Sequence, residues 1–127
     1  MTESYKNTFR GIMMDQHFPD APFITFSKLN PSDEFNQCQN ALVDSVMITT
    51  KCHWGYSYYP TEVGLMHPRL NKRDMVGELV SQARKTGIEA MAYYCFTFDN
   101  IAARHHSDWK FITADNNPAI FRDLFEK

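Results

Sequence analysis

Three short apolar runs, separated by two stretches of helical periodicity, constrain this 127-residue chain more than any other feature. The first run, Phe9 to Met14, ends on Asp15-Gln16-His17 and turns at Phe18-Pro19-Asp20. The second, Ser45 to Thr50, is β-branched and almost continuously apolar, as a strand covered on both faces must be, and Ile88 to Phe96 forms the third. Between the first two, Asn30-Pro31-Ser32-Asp33 supplies an N-cap, a proline at the first helical position and an early carboxylate. This predicts a helix over about 31–42, with Phe35, Cys38, Ala41 and Leu42 on its apolar stripe. Asn71 to Asp74 opens a second helix over about 72–86, striped by Met75, Val76, Leu79, Val80 and Ala83 and stopped by Gly87. The order βαβαβ implies an α/β fold with parallel strands and right-handed crossovers. Met13, Met14 and Met91 are expected in its core. Further on, Asn116-Asn117-Pro118 predicts a turn, and Pro118 to Lys127 the start of another helix with Ile120, Phe121, Leu124 and Phe125 apolar.

With 43% hydrophobic and 22% charged residues, positions 1–127 read as a single domain. A formal charge of -2 with scattered Lys and Arg offers no field for a polyanion, so nucleic acid is not the expected partner. The first ten residues hold no apolar targeting segment, and no stretch approaches the roughly 18 apolar residues of a membrane span. A cytoplasmic protein with no membrane partner is expected. Cys38, Cys52 and Cys95 form no CxxC pair, which predicts free thiols rather than a disulfide framework or a thiolate metal site.

Chemistry in a parallel α/β sheet collects where loops leave the carboxyl ends of the strands. The polar residues there are Asp15, Gln16 and His17 after the first strand, Lys51, Cys52, His53 and Trp54 after the second, and Asp99 with Asn100 after the third. The connection from Lys51 to Lys72 is long for a βα loop and rich in Trp54, Tyr56, Tyr58 and Tyr59. Flat apolar faces with a polar edge suit a sugar ring presenting CH groups and hydroxyls, although the same residues could pack the loop onto the sheet. His53 and Lys51 could bond a substrate hydroxyl, or steady local structure. Asp15 and Asp99 are the available carboxylates for glycoside hydrolysis, yet their strands are not neighbours. His53, His67, His105, His106 and Asp108 raise a metal-dependent hydrolase as an alternative, without a spacing motif to support it. No metal and no cofactor is expected, and Arg73 and Asp74 are assigned to the second helix start.

The run from Ser45 to Tyr94 resembles the second and third βα units of α-L-fucosidase-like glycoside hydrolases, and more closely a hypothetical glycosyl hydrolase family of the same barrel type. Arg10 to Phe18, "RGIMMDQHF", looks like that family's first strand, and Ala102 to Phe111, "AARHHSDWKF", like its His-Pro-Asp-Trp loop. Fucosidases open the loop after strand two with Lys-His-His-Asp-Gly, and Lys51-Cys52-His53-Trp54-Gly55 stands in that place. Only His53 therefore carries over as a sugar contact, and the departures at Cys52 and Trp54 leave the sugar open. Arg73 and Asp74 match the Arg-Asp pair before the family's next helix. The resemblance implies the N-terminal βαβαβ part of a TIM (β/α)8 barrel, a fold of at least about 200 residues. It implies a carbohydrate substrate, sugar-binding loops on this chain, and a catalytic carboxylate pair beyond Lys127. The chain alone is then expected to be inactive, its uncovered edges met by the rest of the barrel or by a second copy. A non-catalytic carbohydrate-binding or assembly module is the alternative from a different class.

Overall fold

The computed structural model of the protein describes residues 8–120. Its centre is strand β2 (Ser45–Lys51), flanked by β1 (Gly11–Met14) on one side and β5 (Glu89–Tyr94) on the other. Both pairings are parallel, Met13 and Met91 lying opposite Met47 in register. The expected βαβαβ order is thus present, with strands in sequential order. Asp44 fixes the start of β1: its carboxylate accepts from the backbone N–H groups of Phe9 at 2.8 Å and Arg10 at 3.0 Å.

Two helices cover one face. Helix α1 (Pro31–Asn40) is capped by Asn30, whose side chain accepts from Ser32 N, as the sequence predicts. It ends two residues early, however, because the chain turns at Leu42, which takes a left-handed φ of 55° and stands exposed. Leu42 and Ala41 therefore leave the apolar stripe, and Phe35 and Cys38 carry it. Helix α2 (Met75–Thr86) begins after a 3-10 turn at Pro68–Leu70 and two left-handed residues, Asn71 and Lys72, so Asp74 is its N-cap rather than an interior residue. Gly87 closes it at φ 70° as expected. Phe35, Cys38, Met75, Leu79 and Ala83 from the helices meet Val46 and Ile48 of β2 in one buried cluster.

Side chains alternate across a strand, so Met13, Met47 and Met91 face away from that cluster. Met13 and Met91 are 44% and 41% exposed, against the expectation of core, because they point away from the cluster that the two helices close. Met14 is partly buried against the cluster.

The long connection is not structureless. Strand β3 (Tyr56–Ser57) folds back antiparallel onto the end of β2, and β4 (Leu65–Met66) runs beside it. A short helix α3 (Asn100–His105), which the sequence pattern does not announce, follows β5. Near the C-terminus, β6 (Phe111–Ile112) and β7 (Pro118–Ala119) pair antiparallel around a turn at Asn116, φ 61°. Pro118 thus lies in a strand, not at a helix start, and the remainder of the helix expected there, Phe121 to Lys127, lies outside the described residues. The three cysteines are free and buried. No helix among the described residues is long and apolar enough to cross a membrane.

Candidate functional site

The carboxyl ends of β1, β2 and β5 bring an aromatic and imidazole cluster together. The rings of His17 and His53 stack with centroids 4.5 Å apart and planes 21° off parallel. Tyr93 meets His17 edge-on at 5.8 Å, and Trp54 lies against His53 at 5.1 Å. Asp15 holds His17 from the side, its carboxylate 2.8 Å from Nε2. That contact places the ring proton on Nε2 and leaves Nδ1 an acceptor. Nδ1 is buried without a hydrogen-bond partner among the described residues, as is Oε1 of Gln16 next to it. A buried acceptor left unpartnered at a strand end fits a ligand that donates a hydroxyl proton.

His53 is kept neutral. Burial lowers its pKa to about 4, His17 beside it acts in the same direction, and Asp15 opposes both. A neutral imidazole can both donate to and accept from a hydroxyl, which a protonated one cannot. The turn that presents it is set by Gly55 at φ 96°, whose N–H donates to the Cys52 carbonyl at 3.0 Å. A Cβ on Gly55 would stand 2.7 Å from the Cβ of Ile101, so only glycine lets α3 approach this closely. Asn100 N donates to the His53 carbonyl at 3.0 Å, tying α3 to the same turn.

Lys51 and Asp99 pair with each other across the far arm of that turn. The Lys51 ammonium also sits 5.1 Å from the Tyr94 ring centroid, and Asp99 caps α3 by accepting from Ala102 N at 2.8 Å. Both charges are thereby engaged within the chain. Asp15 and Asp99 belong to different arrangements, one to His17 and one to Lys51.

The loop aromatics divide by burial. Tyr58 is fully buried and its hydroxyl accepts from Phe18 N at 2.9 Å, while Tyr56 packs edge-on to His67 at 4.9 Å. Tyr56 also lines a cleft of about 410 Å³ with Trp54, Asp20 and Arg104. His67 is buried and bonded on both nitrogens, Nδ1 accepting from Arg69 N and Nε2 donating to the Pro19 carbonyl, with burial lowering its pKa. The histidines of the metal alternative do not converge: His106 stacks on Trp109 at 4.1 Å, and no three His, Cys, Asp or Glu residues among those described could hold a metal ion together. Arg73 reaches further than a helix start, clamping Glu78 and donating to the carbonyls of Phe26 at 2.6 Å and Leu29 at 2.9 Å. Gln16, Tyr93 and Gly55 are the site residues to which sequence reasoning gave no role. Their parts depend on ring contacts and backbone approach, and only the position of Gln16 at a strand end hinted at one.

Solved structures share this fold. α-L-fucosidase isoenzyme 2 from Paenibacillus thiaminolyticus is 23% identical with a TM-score of 0.77, over 87% of this chain and 16% of that one. An α-fucosidase from Thermotoga maritima is 27% identical with a TM-score of 0.57, over 80% of this chain and 22% of that one. An α-L-fucosynthase from Thermotoga maritima is 30% identical with a TM-score of 0.54, over 59% and 18%. The chain therefore spans no more than 22% of the length of these structures. No curated protein matches it. Residues 32–126 match the family described as hypothetical glycosyl hydrolase 6, and the chain belongs to that family.

Proposed function

We propose that this chain forms the sugar-contacting start of a glycoside hydrolase barrel, with the two catalytic carboxylates supplied by residues other than those described. The observation that carries this reading is the stacked His17–His53 pair at adjacent strand ends, held by Asp15 on one side and Trp54 on the other. His17 Nδ1 and neutral His53 bond sugar hydroxyls, and Trp54 offers its face to ring CH groups. Glycoside hydrolysis needs one carboxyl group free to give a proton and another free to attack or to activate water. Asp99 is bound to Lys51 and to a helix N-terminus, and Asp15 to His17, so both act as positioning residues. Residues 1–127 belong to one domain, whose remaining barrel strands pair with the edges of β1 and β5. The fucosidase relatives make L-fucose one candidate, and the Trp54 and Cys52 departures put other sugars beside it on equal terms.

Calorimetric titration with a panel of methyl glycosides, methyl α-L-fucopyranoside included, tests the reading. At least one should bind, with affinity falling about tenfold or more in both His17→Ala and His53→Ala. Binding that survives both substitutions in folded protein would remove the His pair from the site. Hydrolysis of an aryl glycoside by this chain alone would overturn the placement of the carboxylates elsewhere.

A further inference from the structure

Trp54 does not belong to the His53 contact alone. Its ring lies 5.1 Å from that of His53, and it also walls a cleft of about 410 Å³ together with Asp20, Tyr56, Ile101 and Arg104. We propose that this cleft binds an acidic sugar unit, a uronic acid whose ring lies against Trp54 and whose carboxylate is taken by Arg104. That the ring is a sugar rests on the glycoside reading above. No single ligand has to span the cleft and the His17–His53 pair.

Binding groups in a parallel α/β sheet converge from the loops that leave the carboxyl ends of the strands, and this cleft is built from such segments. Asp20 follows β1, Trp54 and Tyr56 follow β2, and Ile101 and Arg104 come from α3 after β5. The volume lies in the range of small-molecule sites. Helix α3 is fixed on the turn by the Asn100 N–H, which donates to the His53 carbonyl at 3.0 Å, and Arg104 stands one turn further along it. The guanidinium is therefore carried by a held element.

Charge selects the occupant. Asp20 is taken by Arg69, Nε to Oδ1 3.0 Å, whereas Arg104 has no carboxylate partner among the described residues. The other nearby charges are met elsewhere: Asp15 on His17, and Asp99 on Lys51, the latter pair lining a different cleft with His105 and His106. Two guanidinium groups thus stand against the one carboxylate of Asp20, and the surplus is positive. A guanidinium fork fits a carboxylate through two parallel N–H···O bonds, a match that a lone hydroxyl does not offer. Tyr56 adds a neutral donor: burial raises the pKa of its phenol, Asp20 acts in the same direction and Arg104 opposes, so the hydroxyl lies in the field of both charges. The indole and phenol rings supply the apolar wall that ring CH groups need. A cation would meet Arg104, and an uncharged ligand would leave its fork unused.

The two tryptophans of the chain make the test local, because Trp109 lines the other cleft. In 15N-labelled protein at low salt, where exposed charges are least screened, methyl β-D-glucuronide or methyl α-D-galacturonide should shift the indole N–H signal of Trp54 and leave that of Trp109 in place. Arg104→Gln, at an exposed position, should weaken uronide binding about tenfold while the spectrum keeps its dispersion, and His17→Ala should leave uronide binding unchanged. Silence of Trp54 toward both uronides, or equal affinity in Arg104→Gln, overturns the acidic site, and a response to neutral methyl glycosides that is lost in His17→Ala would then leave the His-pair reading standing. Acetate bound as tightly as the uronides overturns the sugar assignment. Uronide binding through Arg104, with no neutral glycoside sensitive to His17→Ala, supports the cleft and overturns the His-pair reading instead.

Discussion

On the helix-covered face of the sheet Val46, Met75 and Leu79 are sealed completely, whereas Met13 and Met91, in register on the opposite face, remain close to half exposed. The same three strands thus carry a finished core on one side and an open apolar row on the other. The difference teaches where the stability of this chain resides: α1 and α2 against β2 supply most of it, while Met13 and Met91 on the opposite face stay partly in water. Truncation should separate the two. Leu79→Ala is expected to cost about 3 kcal/mol, a transfer loss plus a cavity that the α2 packing cannot close. Met91→Ala should cost under about 1 kcal/mol, since its side chain is already partly solvated. Urea denaturation of the two variants measures this, and equal losses would mean that the Met row is covered in solution.

A second contrast lies along the chain, between two glycines at positive φ. Gly55 and Gly87 take φ of 96° and 70°, so a side chain is strained at either. A methyl group added to Gly87 would meet nothing within 4 Å, but one added to Gly55 would collide with Asp99 and Ile101. Gly87→Ala should therefore cost about 1 kcal/mol, the backbone penalty alone. Gly55→Ala should cost about 2–3 kcal/mol and disturb the Asp99 cap of α3, because crowding adds to the same strain. Chemical denaturation gives the two values. If they coincide, α3 is not docked on the turn, and the contrast between a crowded site and an open helix end disappears.

How much of this could be seen in the sequence follows from which interactions are local. The Asn30-Pro31 start of α1, the Gly87 stop of α2 and the apolar run of β2 are written in residues close in sequence, and each is where the pattern puts it. Strand ends could be located for the same reason, so His17 and His53 were candidates from position alone. Their stacking could not be foreseen, because it depends on β1 lying beside β2 and on a turn that Gly55 permits. Leu42 misled because an apolar residue two places past a helix end looks like part of its stripe until the left-handed turn is known. Helix α3 has six residues and an Asp99 cap, too short for a periodic signal. Met13 and Met91 show the remaining gap: apolar character predicts burial, but only the packing partner decides whether burial occurs.

The smallest expected effect contrasts two histidines. Burial lowers the pKa of both, that of His53 at the strand ends to about 4 and that of His67 in the aromatic core in the same direction. An unfolded histidine takes its proton near pH 6.5, so between there and about pH 4 the unfolded chain holds a proton that folded His53 does not. Stability from this group is complete above about pH 6.5, declines as pH falls, and has no further slope below about pH 4. The decline should be modest, because the ring is only partly buried and solvent screens it. His53→Gln should flatten part of the acid limb in a pH series of urea denaturations, and His67→Gln another part while also losing the bonds to Pro19 and Arg69. The His53 ring proton in an NMR titration should have its midpoint near pH 4. A midpoint at the ordinary value would mean that the contacts with His17 and Trp54 do not keep water from the ring. The titrations of the two rings in the unsubstituted protein then distinguish a histidine that meets a ligand from one enclosed by the fold: a bound glycoside should shift that of His53 and leave that of His67 where it was.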